Sequence, residues 1–299
     1  MIGPSRVAEL DMPAAGVETG AGRPAQSYWN ESWERLRANR LGVATGALIV
    51  VLALIAVLAP AFSAVVTHYQ PQTIDLDSTF ARPGAGHLLG SDELGRDTLT
   101  RLIWGARVSL GVAFLTVAMS LFLGTTVGMM AGYYGGWIDD VLMRLVDTVL
   151  AIPAIFLFIL MSILIRPNAI TLAAIVASVG WGQVARLVRG EVLSQDYIRT
   201  ARAKGMSERR VVYLHGLRNA LIPLITLIGL ELPGLVSGGL VVEVVFGWPG
   251  IGKLAFERAL QYDYTTVMGV TFFATLLVIA GNLLADLLYG VLDPRIRYG

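Results

Sequence analysis

Of 299 residues only 15% are charged and 55% are hydrophobic, with a mean hydropathy of +0.64. A soluble domain carries about a quarter charged residues, so this much apolar surface needs lipid as part of its solvent. The absence of cysteine excludes disulfides, thiolate metal sites and Cys nucleophiles, and His68, His87 and His215 are too scattered to suggest a metal-dependent hydrolase.

Residues 1–30, rich in Gly, Ala and Pro, contain no apolar segment of the kind a signal peptide needs, and they are expected to be a flexible cytoplasmic tail. A short basic segment, 31–40, follows. About 20 apolar residues cross a bilayer as a helix, and six stretches read as crossings, the fourth of them shorter but within an uncharged window from Pro167 to Ala185. They are Leu41–Phe62, Val108–Trp137 (with Gly132, Gly135 and Gly136 ending the helix near Ala131), Leu145–Ile165, Ile170–Ala185, Ala220–Val242 and Tyr264–Ala285. The predicted class is an all-α integral membrane protein with about six transmembrane helices. With the N-terminus inside, sixteen of the 23 Lys and Arg residues fall on the cytoplasmic side, so both termini are expected there.

Two connecting segments are long. The extracytoplasmic one, 63–107, ends in His87-Leu-Leu-Gly-Ser-Asp-Glu-Leu-Gly-Arg-Asp97. The inner loop, 186–218, carries eight basic and three acidic residues. Within it, Tyr197–Lys204 has the composition of a short helix, Gly205 supplies a left-handed stop, and Ser207 can cap a second helix with Glu208 in its first turn. A basic loop of this kind either lies on anionic headgroups or acts as a lever seated in a partner's groove, a role that the small residues Thr200, Ala201 and Ala203 suit.

Single residues divide in the same way. Glu231 lies near mid-bilayer, so it either lines a polar pathway or is hydrogen-bonded between helices, and Pro233 beside it marks a flexible point. Asn282 and Asp286 share one helical face, as a contact to a moving span or as a polar seam between helices. Arg144 and Asp147 are spaced for a local ion pair that Asp140 could join. Gly124, Gly128 and Gly132 have the small-x-x-x-small spacing of a close helix contact. Phe246, Trp248 and Pro249 form an outer gate, a binding-protein contact or an interfacial aromatic belt. The charged Asp92, Glu93, Arg96 and Asp97 either dock a partner or cap the second span.

The run Thr200-Ala-Arg-Ala-Lys-Gly205, followed by His215-Gly-Leu-Arg-Asn219, resembles the "EAA" loop of ABC importer permeases. Arg199 stands where the general motif has Glu, and Arg218 where many members have Pro. The resemblance extends along the chain. His87–Asp97, Arg144-x-x-Asp147 with Pro153, Glu243–Gly252, Asn282–Asp286 with Tyr289, and Asp293–Arg297 are similar to signatures of the "C" permease of dipeptide, oligopeptide and nickel importers. It implies the type I importer permease fold, with a core from 108 to 299. In that family the inner loop docks into an ATPase subunit, which assigns ATPase coupling to Tyr197, Arg199, Thr200, Ala201, Lys204, Gly205, Met206 and Ser207. The implied partners are a homologous "B" permease, two ATPase subunits carrying ATP and Mg, an extracytoplasmic binding protein and the lipid bilayer of the cell's inner membrane. No nucleic acid is implied, and this chain itself binds no cofactor. It has no Gly-x-x-x-x-Gly-Lys-Ser/Thr phosphate loop, so the expectation is a transport subunit and not an enzyme. Peptides are the commonest cargo of the family, with nickel chelates, glutathione or another small solute as alternatives. A self-contained channel or secondary transporter would not explain the lever.

Overall fold

A computed structural model describes residues 40–193, Leu224 and residues 239–292. The tail 1–30, the coupling residues Tyr197–Ser207, Glu231 and Pro233 lie outside the described residues, as does most of the expected fifth span. The described residues are helical, with one isolated bridge between Ser91 and Asp97.

Helix α1 (Arg40–Val57) is followed by α2 (Ala59–Phe62) and a π-turn at Ser63–Thr67. The axis bends by 76° between Val57 and Ala59, so the first expected span is broken near its end. Pro60 in the first turn of α2 suits a fresh helix start, where its missing N–H costs nothing. A connector, residues 68–97, leads to α3 (Thr98–Tyr134).

At 37 residues, α3 is about 55 Å long, well beyond the roughly 30 Å hydrocarbon core. It starts ten residues before the expected boundary because Asp97 caps it, accepting from Thr100 N at 2.8 Å, and because Arg101 finds carboxylates at that end. It ends three residues later than expected, at Tyr134, where Gly135 takes φ +62° and donates its N–H to Ala131 O. Gly132 therefore sits inside the helix.

The expected third span, 145–165, is two helices, α4 (Gly136–Ala151) and α5 (Ala154–Leu164), bent by 82°. Pro153 has no N–H to continue the ladder and forces Ile152 into an extended conformation (φ −86°, ψ 121°). Next, α6 (Ala169–Leu193) overruns its expected end at Ala185 by two turns and takes in Arg186 and Arg189, which hydropathy alone assigned to the inner loop. Two further helices close the described chain: α7 (Ile251–Leu260), which hydropathy does not reveal, and α8 (Tyr264–Leu292). Among the described residues three helices (α3, α6 and α8) are long and apolar enough to cross a membrane, and up to five spans result if each bent pair is one.

Helices α3 and α6 pack along the glycine face of α3. A Cβ at Gly124 would overlap Val184, one at Gly128 would overlap Ala185 O, and one at Gly132 would sit 2.8 Å from Val192 Cβ. The three glycines meet successive turns of α6, so the backbones approach as closely as the small-residue spacing predicts. Helix α4 adds Val146 to this contact, buried against Trp181 and Ala185, and Gly182 leaves room for Val146 and Leu150. A second cluster, Leu102, Ala106, Ile251, Leu254 and Val270, joins α3, α7 and α8 to α1. Outward faces remain apolar: Phe114, Phe122, Ile163 and Phe272 are all exposed, as lipid-facing side chains require.

Gly128→Val should open the α3–α6 contact at a cost of about 1–3 kcal/mol or more, since backbone and not a flexible side chain is in the way. Gly111→Ala on the same helix meets nothing within 4 Å and should leave stability unchanged. Thermal unfolding of the two variants in detergent separates the cases.

Candidate functional site

The connector folds on itself before it meets anything else. Gly90 (φ +77°) and Gly95 (φ +70°) occupy the left-handed region, and a Cβ on Gly95 would overlap Asp75 O. Between them the chain turns so that Asp92 N donates to Arg96 O at 3.1 Å and Gly95 N to Asp92 O at 2.9 Å. Asp92 Oδ1 then accepts from the N–H groups of Leu94 and Arg96, both at 2.9 Å. Close by, buried His87 places Nδ1 3.0 Å from Asp97 Oδ1 and stacks on Tyr69 at 4.7 Å.

This turn presents two carboxylates to α3 and α7. Asp92 Oδ2 accepts from Arg96 Nε at 2.8 Å and from Arg101 Nη1 at 2.5 Å. Glu93 Oε1 accepts from Arg96 Nη2 at 3.1 Å and from Arg258 Nη2 at 2.9 Å, and its Oε2 pairs with Arg258 Nη1. Arg258, on α7, is only 1% exposed, and its Nη1 also lies 3.8 Å from Asp92 Oδ2. Glu257 faces Arg101 at 3.8 Å and Lys253 at 3.7 Å. Charges of both signs alternate through the cluster, so each buried ion has a partner, the condition under which burial is tolerable.

Burial would raise the Asp92 carboxyl, but the N–H groups of Arg96 and Leu94 and the guanidiniums of Arg101 and Arg96 outweigh it and hold it below the ordinary carboxylate range. Burial lowers the Arg258 guanidinium, an effect that Asp92 and Asp263 oppose.

A second carboxylate holds the other end of α7. Glu243 is buried where a helical stretch, residues 239–245, runs into the 246–250 loop. Its Oε1 accepts from Ser109 Oγ of α3 at 2.6 Å and its Oε2 from Lys253 N in the first turn of α7 at 3.0 Å. Ser109 Oγ in turn accepts from Ile251 N at 3.0 Å. One carboxylate and one hydroxyl thus serve N–H groups that a helix start leaves unpaired, and the negative charge complements the helix dipole. Only glycine fits at 250, because a Cβ there would overlap the Glu243 carboxylate.

The loop these anchors hold carries the aromatic residues that the sequence singles out. Phe246 is buried among Phe158, Leu172, Ile175 and Val242, and Trp248 packs against the same cluster. Gly247 and Pro249 are exposed at the tip, where Lys253 Nζ donates to Gly247 O at 2.9 Å. Of the four charged residues singled out at the end of the connector, Asp92 and Asp97 are fully buried, while Glu93 and Arg96 keep a partly exposed rim. Asn282 is exposed on α8, and Asp286 follows four residues later on that helix with its side chain outside the described residues.

The expected Arg144–Asp147 pair does not form. Asp147 accepts from Arg186 Nη2 at 2.5 Å, across the gap to α6, and Asp139 accepts from both Nε and Nη2 of Arg189. Helix α6 runs further than hydropathy implies and brings these arginines alongside α4, which offers a closer partner than a flexible i,i+3 contact.

Nothing among these groups forms a nucleophile, a base and an acceptor in one cleft, and no cluster suited to a metal ion occurs among the described residues. The arrangement is mechanical: a long helix pair, and a small helix clasped at both ends.

Known proteins agree with this architecture. Residues 124–298 match the model of the binding-protein-dependent transport system inner membrane component, and residues 27–83 match that of the N-terminal TM domain of oligopeptide transport permease C. The chain belongs to this family of inner-membrane transport components. The dipeptide transport system permease protein DppC of Alkalihalophilus pseudofirmus is 33% identical to this permease over 283 residues, which cover 91% of the permease and 92% of that relative. The oligopeptide transport system permease protein AppB of Bacillus subtilis is 56% identical over only 108 residues, covering 36% of the permease and 34% of AppB. Among solved structures, the inward-facing MetNI methionine ABC transporter superimposes with a TM-score of 0.57 at 23% identity, covering 65% of the permease and 97% of that chain. That likeness carries the fold.

These contacts predict that Glu243→Ala costs about 1.5–3 kcal/mol, the range for a hydrogen bond to a charged group, and that Gly250→Ala destabilises the same loop by displacing the Glu243 carboxylate without removing it. Proteolysis near residues 246–250 in the folded permease reads both. For Asp92 the sign follows from its lowered value: its contribution is complete above the ordinary Asp range, about 3.9, and is lost only as pH falls through the lower folded value. The stability gap between the native permease and Asp92→Asn should therefore stay constant from pH 7 to about 4 and close only below that.

Proposed function

We propose that this permease is the "C"-type subunit of an ATP-driven importer for dipeptides or oligopeptides. The observation that carries the reading is the match to DppC along 91% of the chain, joined to the permease C amino-terminal domain at residues 27–83. The chain itself is a transport subunit, and ATP with Mg is bound and hydrolysed by two ATPase subunits. Tyr197, Arg199, Thr200, Ala201, Lys204, Gly205, Met206 and Ser207 form the segment that docks on one of them, on the cytoplasmic face of the inner membrane. The Lys/Arg bias places the Gly135 end of the bundle on that side and the connector with α7 on the other.

In this orientation the exposed Gly247–Pro249 tip and the rim of Glu93 and Arg96 face an extracytoplasmic binding protein. Glu231 and Pro233 lie along the pathway, with Asn282 and Asp286 on the last span beside it. Closure of the ATPases draws the coupling segments together and opens the cavity outward, and hydrolysis resets it. The partner permease is of the homologous "B" type. A pair formed by two copies of this chain is the second reading, favoured by the higher identity to AppB over a third of the chain.

Co-purification tests both. Deleting Ala201–Gly205 should release the ATPase subunits while the permeases stay paired. An active oligomer of this chain that transports without ATPases would overturn the reading. Two differently tagged copies that co-purify without another permease would decide for the second arrangement.

A further inference from the structure

Helices α4 and α6 are joined by two ion pairs and an apolar contact. The described part of α6 reaches Leu193, a few residues before the segment to which the proposed function assigns ATPase docking. In the proposed function, displacement of that segment is passed to the spans through the turns of α6 that end the described range. Those turns carry Arg186 and Arg189, and both arginines reach across to one short helix, α4.

The two pairs differ in kind. Asp147 and Arg186 are each more than half exposed in this chain, so their pair is screened and contributes little to stability. Asp139 is buried, and Arg189 grips it through two nitrogens in the bidentate geometry that fixes direction as well as distance. Val146 lies between the two pairs along α4, fully buried against Trp181 and Ala185 of α6. Two ion pairs and an apolar contact hold α4 on α6 with a defined rotation. On its other side, α6 is packed on the glycine face of α3, with Gly132 against Val192 in the same last turns. Helix α4 is joined to α5 only through the 82° break at Ile152–Pro153.

We infer that α4 is a strut that fixes the direction of the α6 end, and that Asp139 and Arg189 are positioning residues for coupling between the ATPases and the pathway. A push on the segment after Leu193 moves α3, α4 and α6 as one body, and the break at Pro153 marks where that body stops. Without the strut, the end of α6 yields and ATP is hydrolysed with less movement of the spans. The inference rests on the proposed importer function and adds which residues carry the stroke.

The test uses the complete transporter, this permease with its partner permease, ATPases and binding protein, reconstituted in vesicles. Uptake of a dipeptide and ATP hydrolysis are measured together for the native complex, Asp139→Arg, Arg189→Asp and the double exchange. The single variants should keep their ATPase subunits and their hydrolysis, while peptide carried per ATP falls about fivefold or more, the scale of a coupling free energy near 1 kcal/mol. The double exchange, which restores an opposite-charge pair, should recover most of the ratio. The milder Asp139→Asn, which removes charge without introducing a clash, should fall in between and serves if a reversal fails to assemble. An unchanged ratio in Asp139→Asn, or loss of transport in strict proportion to lost assembly, would overturn the strut, since a purely structural role predicts that. A native complex with no ATP-dependent uptake would instead sink the importer reading, and the strut with it.

Discussion

The close approach of α3 and α6 is the contact on which the other parts depend. In lipid the hydrophobic effect gives helices no reason to associate, because a neighbouring acyl chain is as apolar as a leucine. Association then comes from van der Waals contact, which needs surfaces that fit, and three glycines one turn apart let the ridge of Val184, Val188 and Val192 lie against bare backbone. With α3 and α6 joined along much of their length, each end of the pair becomes a fixed platform. At one end α7 and the connector are clasped onto α3, and at the other α4 is braced onto α6.

The two ends use charge differently. At the connector end, alternating acids and bases surround Arg258, and Glu243 serves N–H groups at the start of α7. These groups hold a loop in place and leave Gly247 and Pro249 exposed at its tip. At the Gly135 end the described pairs, Asp139 with Arg189 and Asp147 with Arg186, cross between helices, the first with a buried carboxylate and the second exposed.

Much of the fold was legible in the residues. Apolar runs located the α1, α3, α6 and α8 segments, and the glycine spacing announced a close helix contact on α3 without naming α6 as the partner. Boundaries were less legible. Hydropathy stopped α6 at Ala185 because Arg186 and Arg189 are charged, yet helix continues wherever a charge finds a partner, and the partners are 39 and 50 residues away. The same reasoning explains α3, whose first ten residues include Arg101 and Arg107 and were assigned to the connector. Arg144 and Asp147 illustrate the limit of local spacing, since i,i+3 proximity lost to a cross-helix partner. The role of Glu243 could not be read either, because a glutamate in an apolar run signals that something must satisfy it without naming Ser109 and Lys253.

Composition and pattern by themselves determined that this chain lives in a membrane and that it is helical, while the order of its motifs from residue 87 onward rested on resemblance to importer permeases. Those are properties of local sequence: transfer free energy, helical period and residue identity. Tertiary structure alone decided which charges are partners, which aromatic side chains are buried and which are left at the tip, and that Asp92 and Asp97 face inward. Burial and pairing are set by what the rest of the chain brings alongside, and no local pattern records a neighbour 165 residues away, the separation between Glu93 and Arg258.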